Sequence, residues 1–160
     1  MTILIVCTGN SCRSPMAEVI LRRKLRRNGL HDINVLSAGV VTELGFPAHP
    51  LAIGTCLAHG LKLNSHRTRQ ASATVVQSAG IILGMTESHV NLLTHAYPEK
   101  AAAIHLLKDY GRSELLEDRE VADPIGADPF QYERCFKELD KELERIVQIL
   151  KMKYSEENNC

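Results

Sequence analysis

The run Ile3-Leu4-Ile5-Val6-Cys7-Thr8-Gly9-Asn10-Ser11-Cys12-Arg13-Ser14-Pro15 decides the fold of this chain. Four consecutive apolar residues rich in β-branching, with no polar alternation, suit a parallel strand buried on both faces. A short polar loop follows, and Ser14-Pro15 has the pattern of an N-cap and first helical position. Strand, loop and helix therefore place a thiol, Cys7, where the strand ends and a guanidinium, Arg13, where the helix begins. An anion seated between them meets backbone N–H groups, a helix N-terminus and Arg13 together.

Outward from this stretch the chain keeps the same rhythm. Met16, Val19, Ile20 and Leu25 form one apolar stripe, and Gly29 closes that helix. Residues 33–39 read as a second strand, 80–85 as a third and 103–107 as a fourth. Helices are expected from His49-Pro50 to about residue 59, over 73–78, and from a Thr86 cap to about residue 95. Asp128 as N-cap, Pro129 at N1 and Gln131 at N3 announce a last helix. Tyr132, Phe136, Leu139, Leu143, Ile146, Val147 and Leu150 hold helical spacing along it. Strands alternating with helices predict an α/β fold, a four-stranded parallel sheet covered on both faces, in one domain over residues 1–154. Residues 155–160 form a polar tail expected to fray. In such sheets ligands bind beyond the C-terminal strand ends, at the point where strand order reverses. Cys7 stands at such an end.

Composition narrows the function. Nineteen basic and nineteen acidic residues among 160 leave no net charge, which argues against a nucleic-acid partner. The cluster Arg22-Arg23-Lys24-Leu25-Arg26-Arg27 lacks interleaved aromatics and reads as a solvated face near a helix C-terminus. No window has the ~18 apolar residues of a membrane span, and no basic, apolar leader opens the chain. Five cysteines at irregular spacing suggest no disulfide framework, so a reducing cytoplasm is expected. Cys7 and Cys12 have no second pair at zinc-ligand spacing, so neither a metal nor another cofactor is expected.

The chemistry expected of residues 7–14 is capture of a tetrahedral oxyanion. Successive N–H groups of Thr8, Gly9, Asn10, Ser11, Cys12 and Ser14 can turn inward while the planar fork of Arg13 holds two oxygens. Cysteines at helix N-termini or beside cations ionise readily, so Cys7 has the setting of a nucleophile. Gly9 suits a positive φ, and Asn10 and Ser14 suit bracing the loop and donating to the sulfur. Phosphoryl transfer to sulfur also needs an acid for the leaving group. Asp123, held extended by Pro124 in a polar loop, is the candidate.

These residues resemble the low-molecular-weight protein-tyrosine-phosphatase family over nearly the whole chain. Residues 7–18 are similar to its phosphate loop and first helix, Ser37-Ala38-Gly39 to its second-strand signature, Ser65-His66 to its bracing pair, and Asp123-Pro124 to its acid loop. The resemblance implies a flavodoxin-like fold and a metal-independent hydrolysis of phosphorylated protein or peptide side chains, with phosphate or vanadate as active-site ligands. It implies that Cys7 attacks phosphorus, Arg13 and the loop amides bind oxygens, and Asp123 first protonates the leaving atom and then activates water. Asn10, Ser14, Ser37 and His66 are then supports, and Cys12 is a partner able to form a reversible disulfide with Cys7.

Substrate choice is open at this level. Tyrosine-directed members usually carry a bulky aliphatic residue at position 11 and aromatics after the Asp-Pro pair, where this chain has Ser11 and Ile125. Phe46 and Tyr132 are the nearby aromatic candidates. A small hydroxyl residue at position 11 resembles the bacterial protein-arginine phosphatases. Thioredoxin-coupled arsenate reductases share the loop but need two later cysteines, and residues 78–100 contain none. A silent phosphate-binding module and a Cys7–Cys12 thiol redox protein are the remaining alternatives.

Overall fold

The computed structural model describes residues 1–114 and 116–157. Four strands, β1 (Thr2–Cys7), β2 (Asn34–Gly39), β3 (Ile81–Gly84) and β4 (Ile104–Leu106), form one parallel sheet in the order β2-β1-β3-β4. Strand order reverses between β1 and β3, so the crevice beyond Cys7 lies at the topological switch point, as expected.

Side chains of β1 alternate between two cores, as the two-residue period of a strand demands. Ile3, Ile5 and Cys7 join the core covered by α1 (Arg13–Arg27), α2 (Pro50–Ala58) and α5 (Pro129–Glu157). Leu4 and Val6 join a smaller core under α3 (Ala73–Ser78) and α4 (Glu87–Ala96). The continuous apolar run is thus explained by burial on both faces. All seven periodic residues expected along α5 are buried, and Gln131 N donates to Asp128 Oδ1 at 3.0 Å, the cap read from sequence.

Three local expectations need correction. The helix α1 begins at Arg13 with Cys12 in the capping position, so Ser14 lies inside the first turn and is not its N-cap. Its hydroxyl is turned instead towards the sulfur of Cys7. The left-handed residue of the loop is Asn10 (φ 52°), not Gly9; asparagine tolerates that conformation, and here hydrogen bonds on every side fix it. After α4 ends at Ala96, a 3₁₀ turn (Pro98–Ala103) carries the chain into β4. The basic cluster is only partly a solvated face: Lys24 pairs with Asp140 and Glu144 of α5, at 3.0 and 2.8 Å. The helix α5 continues through Glu157, and the rest of the expected polar tail, residues 158–160, lies outside the described residues. No helix is long and apolar enough to cross a membrane among the described residues.

Candidate active site

The loop between β1 and α1 is held by a buried, uncharged network centred on Asn10. Asn10 is fully buried; its Nδ2 donates to Ser14 Oγ and to Ser37 Oγ, both at 3.0 Å. Its Oδ1 accepts from Arg69 N at 2.8 Å, and its backbone carbonyl accepts from His66 Nε2 at 2.8 Å. Both amide hydrogens and the amide oxygen are therefore used, which fixes the side chain's orientation. Ser37 passes its own hydrogen to Glu18. The residues Asn10, Ser14, Ser37 and His66 are thus gathered into one support, with Glu18 added. The sequence signal for Glu18 was its place in the α1 motif.

Cys7, 3 % exposed, ends β1 with its sulfur 3.0 Å from Ser14 Oγ. Because Asn10 already donates to that oxygen, the serine hydrogen is free to point at sulfur. The Ala38 carbonyl, at 3.4 Å, is the longer alternative. Gly39 explains why β2 ends as it does. A Cβ there would stand 2.6 Å from the Thr8 carbonyl oxygen and 3.0 Å from Thr42, so only glycine lets β2 pass this close. The following segment continues the contact: Thr42 Oγ1 donates to Gly9 O at 2.7 Å, and His49 N to Ser11 O at 2.9 Å.

Thr8 is anchored by a residue the sequence reading missed. His89, 3 % exposed at the third position of α4, has Nδ1 3.2 Å from Thr86 N, which donates to it. That leaves the proton on Nε2, which donates to Thr8 Oγ1 at 2.9 Å. Burial first, and then the charge of Arg13, push its pKa down to about 4, so the ring is neutral near pH 7. The available signal was a histidine three residues after the Thr86 cap. Its partner, 81 positions away, carried none.

Cys12 is a buried free thiol, 3.3 Å from Tyr132 Oη and 3.6 Å from Ser11 Oγ. Burial pushes its pKa up despite both hydroxyls. Tyr132 is fully buried and stacks on His49, with ring centroids 5.3 Å apart. It therefore belongs to the floor of the loop and offers no exposed aromatic wall.

Arg13 and Asp123, 110 residues apart, form a direct ion pair. Arg13 is 4 % exposed and its Nη1 also donates to Val121 O at 3.1 Å. The acid loop is stitched to the sheet by Val121 N donating to Met85 O, 2.9 Å, just past β3. Asp123 folds back on itself, its Oδ1 accepting from Ile125 N at 3.1 Å, and Gly126 turns the chain at φ 76°. One carboxylate oxygen caps this turn and the other faces the guanidinium. A thiol, its hydroxyl donor, an arginine and a carboxylate thus meet at one strand end.

A thiol nucleophile beside an oxyanion cradle, on a doubly covered parallel sheet, defines the class of cysteine-dependent phosphatases. The family model described as "Low molecular weight phosphotyrosine protein phosphatase" matches residues 2–156, and the chain belongs to that family. Among its relatives is the low molecular weight protein-tyrosine-phosphatase Etp of Escherichia coli (strain K12), 33% identical, with 90% of this chain and 95% of the relative covered. Another is the protein-arginine-phosphatase of Bacillus subtilis (strain 168), 32% identical over 94% of this chain and 97% of the relative. A similar solved structure is the C7S mutant of YwlE arginine phosphatase with a phosphorylated active-site serine. Its TM-score is 0.88 at 31% identity, with 94% of this chain and 96% of that one covered.

Proposed function

We propose that this protein hydrolyses phosphorylated tyrosine side chains of proteins or peptides through a phosphocysteine on Cys7. The observation that carries the reading is the convergence of Cys7, Ser14, Arg13 and Asp123 at the end of β1. The phosphoryl group sits in the loop, its oxygens bound by loop N–H groups and by the Arg13 fork in place of Asp123. The Cys7 sulfur attacks phosphorus as the bond to the leaving oxygen breaks. Asp123, protonated, gives that oxygen its proton; as carboxylate it then takes a proton from water, which displaces sulfur from phosphorus. Ser14 stabilises the sulfur as it leaves. The YwlE C7S mutant, with its phosphorylated active-site serine, supports the covalent step by likeness. We place the reaction in the cytoplasm, on the ground of the free, buried thiols.

A second reading, hydrolysis of phosphoarginine, has observations of its own. Ser11 leaves the rim of the loop small and polar, and the residue after Asp123-Pro124 is Ile125, 59 % exposed, rather than an aromatic. Phe46, 55 % exposed on the segment tied to the loop at Thr42 and His49, is an aromatic flank available to a phosphotyrosine ring. Measuring kcat/KM on paired phosphotyrosine and phosphoarginine peptides decides between them. The first reading predicts preference for phosphotyrosine, raised further by Ser11→Ile. Preference for phosphoarginine, lost in Ser11→Ile, establishes the second.

A further inference from the structure

Behind the Asn10 support of the phosphate loop, a chain of zero net charge gathers four cations around one concavity. The cavity, of about 280 Å³, is lined by Arg22, Lys62, Arg67 and Arg69, with Ser65 and His66 between them. Its single carboxylate, Glu18, is already committed to Arg22 and to Ser37. Arg67 Nη1 reaches only carbonyl oxygens, those of His66 (2.7 Å) and Asn64 (3.5 Å). Among the described residues no carboxylate partners Lys62, Arg67 or Arg69. Several other cations of the chain do have carboxylate partners, among them Lys24, Lys108, Arg112 and Arg119.

The cavity also borders the catalytic loop. His66 holds the Asn10 carbonyl, Arg69 N holds the Asn10 side-chain oxygen, and Glu18 reaches Asn10 through Ser37. Burial lowers the pKa of His66, and the charges of Arg69 and Arg67 act in the same direction, against the Asn10 hydrogen bond and Glu18, which raise it. Both cations therefore act on a residue that holds the loop.

We propose that this concavity binds a small anion carrying two or more phosphate groups, and that its occupancy alters turnover through Asn10. Two guanidinium forks and an ammonium match several phosphate oxygens at once, and a cavity of this volume holds more than one phosphate group. The site is separate from the phosphate loop and does not depend on which side chain the enzyme dephosphorylates. A free oligophosphate and the diphosphate of a nucleotide share the chemistry.

The test is a titration of the full chain with inorganic pyrophosphate and, separately, with ADP, followed by backbone amide NMR. Saturable shifts at residues 62–69 are expected, distinct in midpoint from those at residues 7–13. The double variant Lys62→Ala/Arg67→Ala removes two exposed side chains, so its melting temperature should match wild type. Its affinity at the rear site should fall roughly tenfold, as for two partly exposed charge contacts. With p-nitrophenyl phosphate as substrate, pyrophosphate should change kcat by at least about twofold in wild type and only KM in the variant. Tighter binding of ADP assigns the source as a nucleotide, and equal binding assigns the free anion. Shifts confined to residues 7–13, equal affinity in the double variant, or an unchanged kcat overturns the proposal. The NMR readout needs no turnover, so it stands apart from the catalytic reading.

Discussion

The two halves of the catalytic apparatus are held by different forces. The phosphate loop rests on a buried, mostly uncharged network: Asn10, Ser14, Ser37, His66 and His89 all reach it through hydrogen bonds. The acid loop, over its described residues 108–114 and 116–127, has few apolar anchors, chiefly Tyr110, Val121 and Pro124. It is tied down by ion pairs instead: Arg119 to Asp109 and Glu87, and Lys108 to Asp118 and Glu138. Glu120 adds a bond from Glu87 N at 2.8 Å. Buried networks in low dielectric specify one geometry, whereas ion pairs with a well-exposed partner, such as Arg119 with Glu87 and Lys108 with Asp118, are weaker and screened by salt. The nucleophile therefore sits in a fixed frame, and the acid is brought to it by an adjustable one. Arg13 is the joint: it holds Asp123 in this structure, and in the proposed mechanism it turns to phosphate.

The largest effect should come from the fixed half. Asn10→Ala strips donors from Ser14 and Ser37 and leaves the Arg69 N–H and a φ of 52° without their asparagine. Thermal and urea unfolding should register a loss of about 3 kcal/mol, and kcat should fall by about a hundredfold as the loop shifts. Gly39→Ala, whose Cβ would press on the Thr8 carbonyl, should act in the same direction, at about 2 kcal/mol by the same unfolding measurement.

A pH effect at His89 is comparable in stability but is expressed only as pH falls. Its folded pKa, about 4, lies below its ordinary 6.5, so between those values the unfolded chain binds a proton that the folded chain refuses. Stability attributable to this residue is intact above pH 6.5 and declines as pH falls towards 4. The full decline is roughly 3 kcal/mol on linkage arithmetic. His89→Gln keeps a donor for Thr8 and removes the titration. Urea titrations between pH 7 and 4 should therefore show a flatter profile for the variant, and identical profiles would remove His89 from this account.

The smallest effects belong to the adjustable half. Arg119→Ala should leave the melting temperature nearly unchanged and lower kcat by less than about tenfold, through a less well placed Asp123. Raising ionic strength should reduce the difference between variant and wild type. An Arg119→Ala protein as unstable as Asn10→Ala would erase the distinction between the two halves.

Much of this was legible in sequence because the fold and the site share one signal. An unbroken apolar run implies two covered faces, and the polar loop after it falls at the switch point by topology alone. Asp128, Pro129 and the α5 stripe were legible because caps and helical periods are local. Ser14 and Gly9 were misread for the converse reason. Ser14 looks like a cap, but the bond to Cys7 and Asn10 outweighs the local preference. Glycine is the usual left-handed residue, but here an asparagine side chain satisfies three partners, Ser14, Ser37 and Arg69 N, that glycine could not. His89 and the cation-lined cavity depend on pairings 81 and 56 positions apart, which no local pattern encodes.

The central claim is that Cys7 and Asp123 act in sequence on one phosphoryl group, and trapping the intermediate tests it most directly. In Asp123→Ala the water-activating carboxylate is gone, so rapid acid quench during turnover of p-nitrophenyl phosphate should accumulate a covalent phosphoryl adduct. Mass spectrometry of the digested protein should place that adduct on the peptide containing Cys7, with none in Cys7→Ala. Turnover by Asp123→Ala at the wild-type rate, or an adduct on any other residue, would contradict the account.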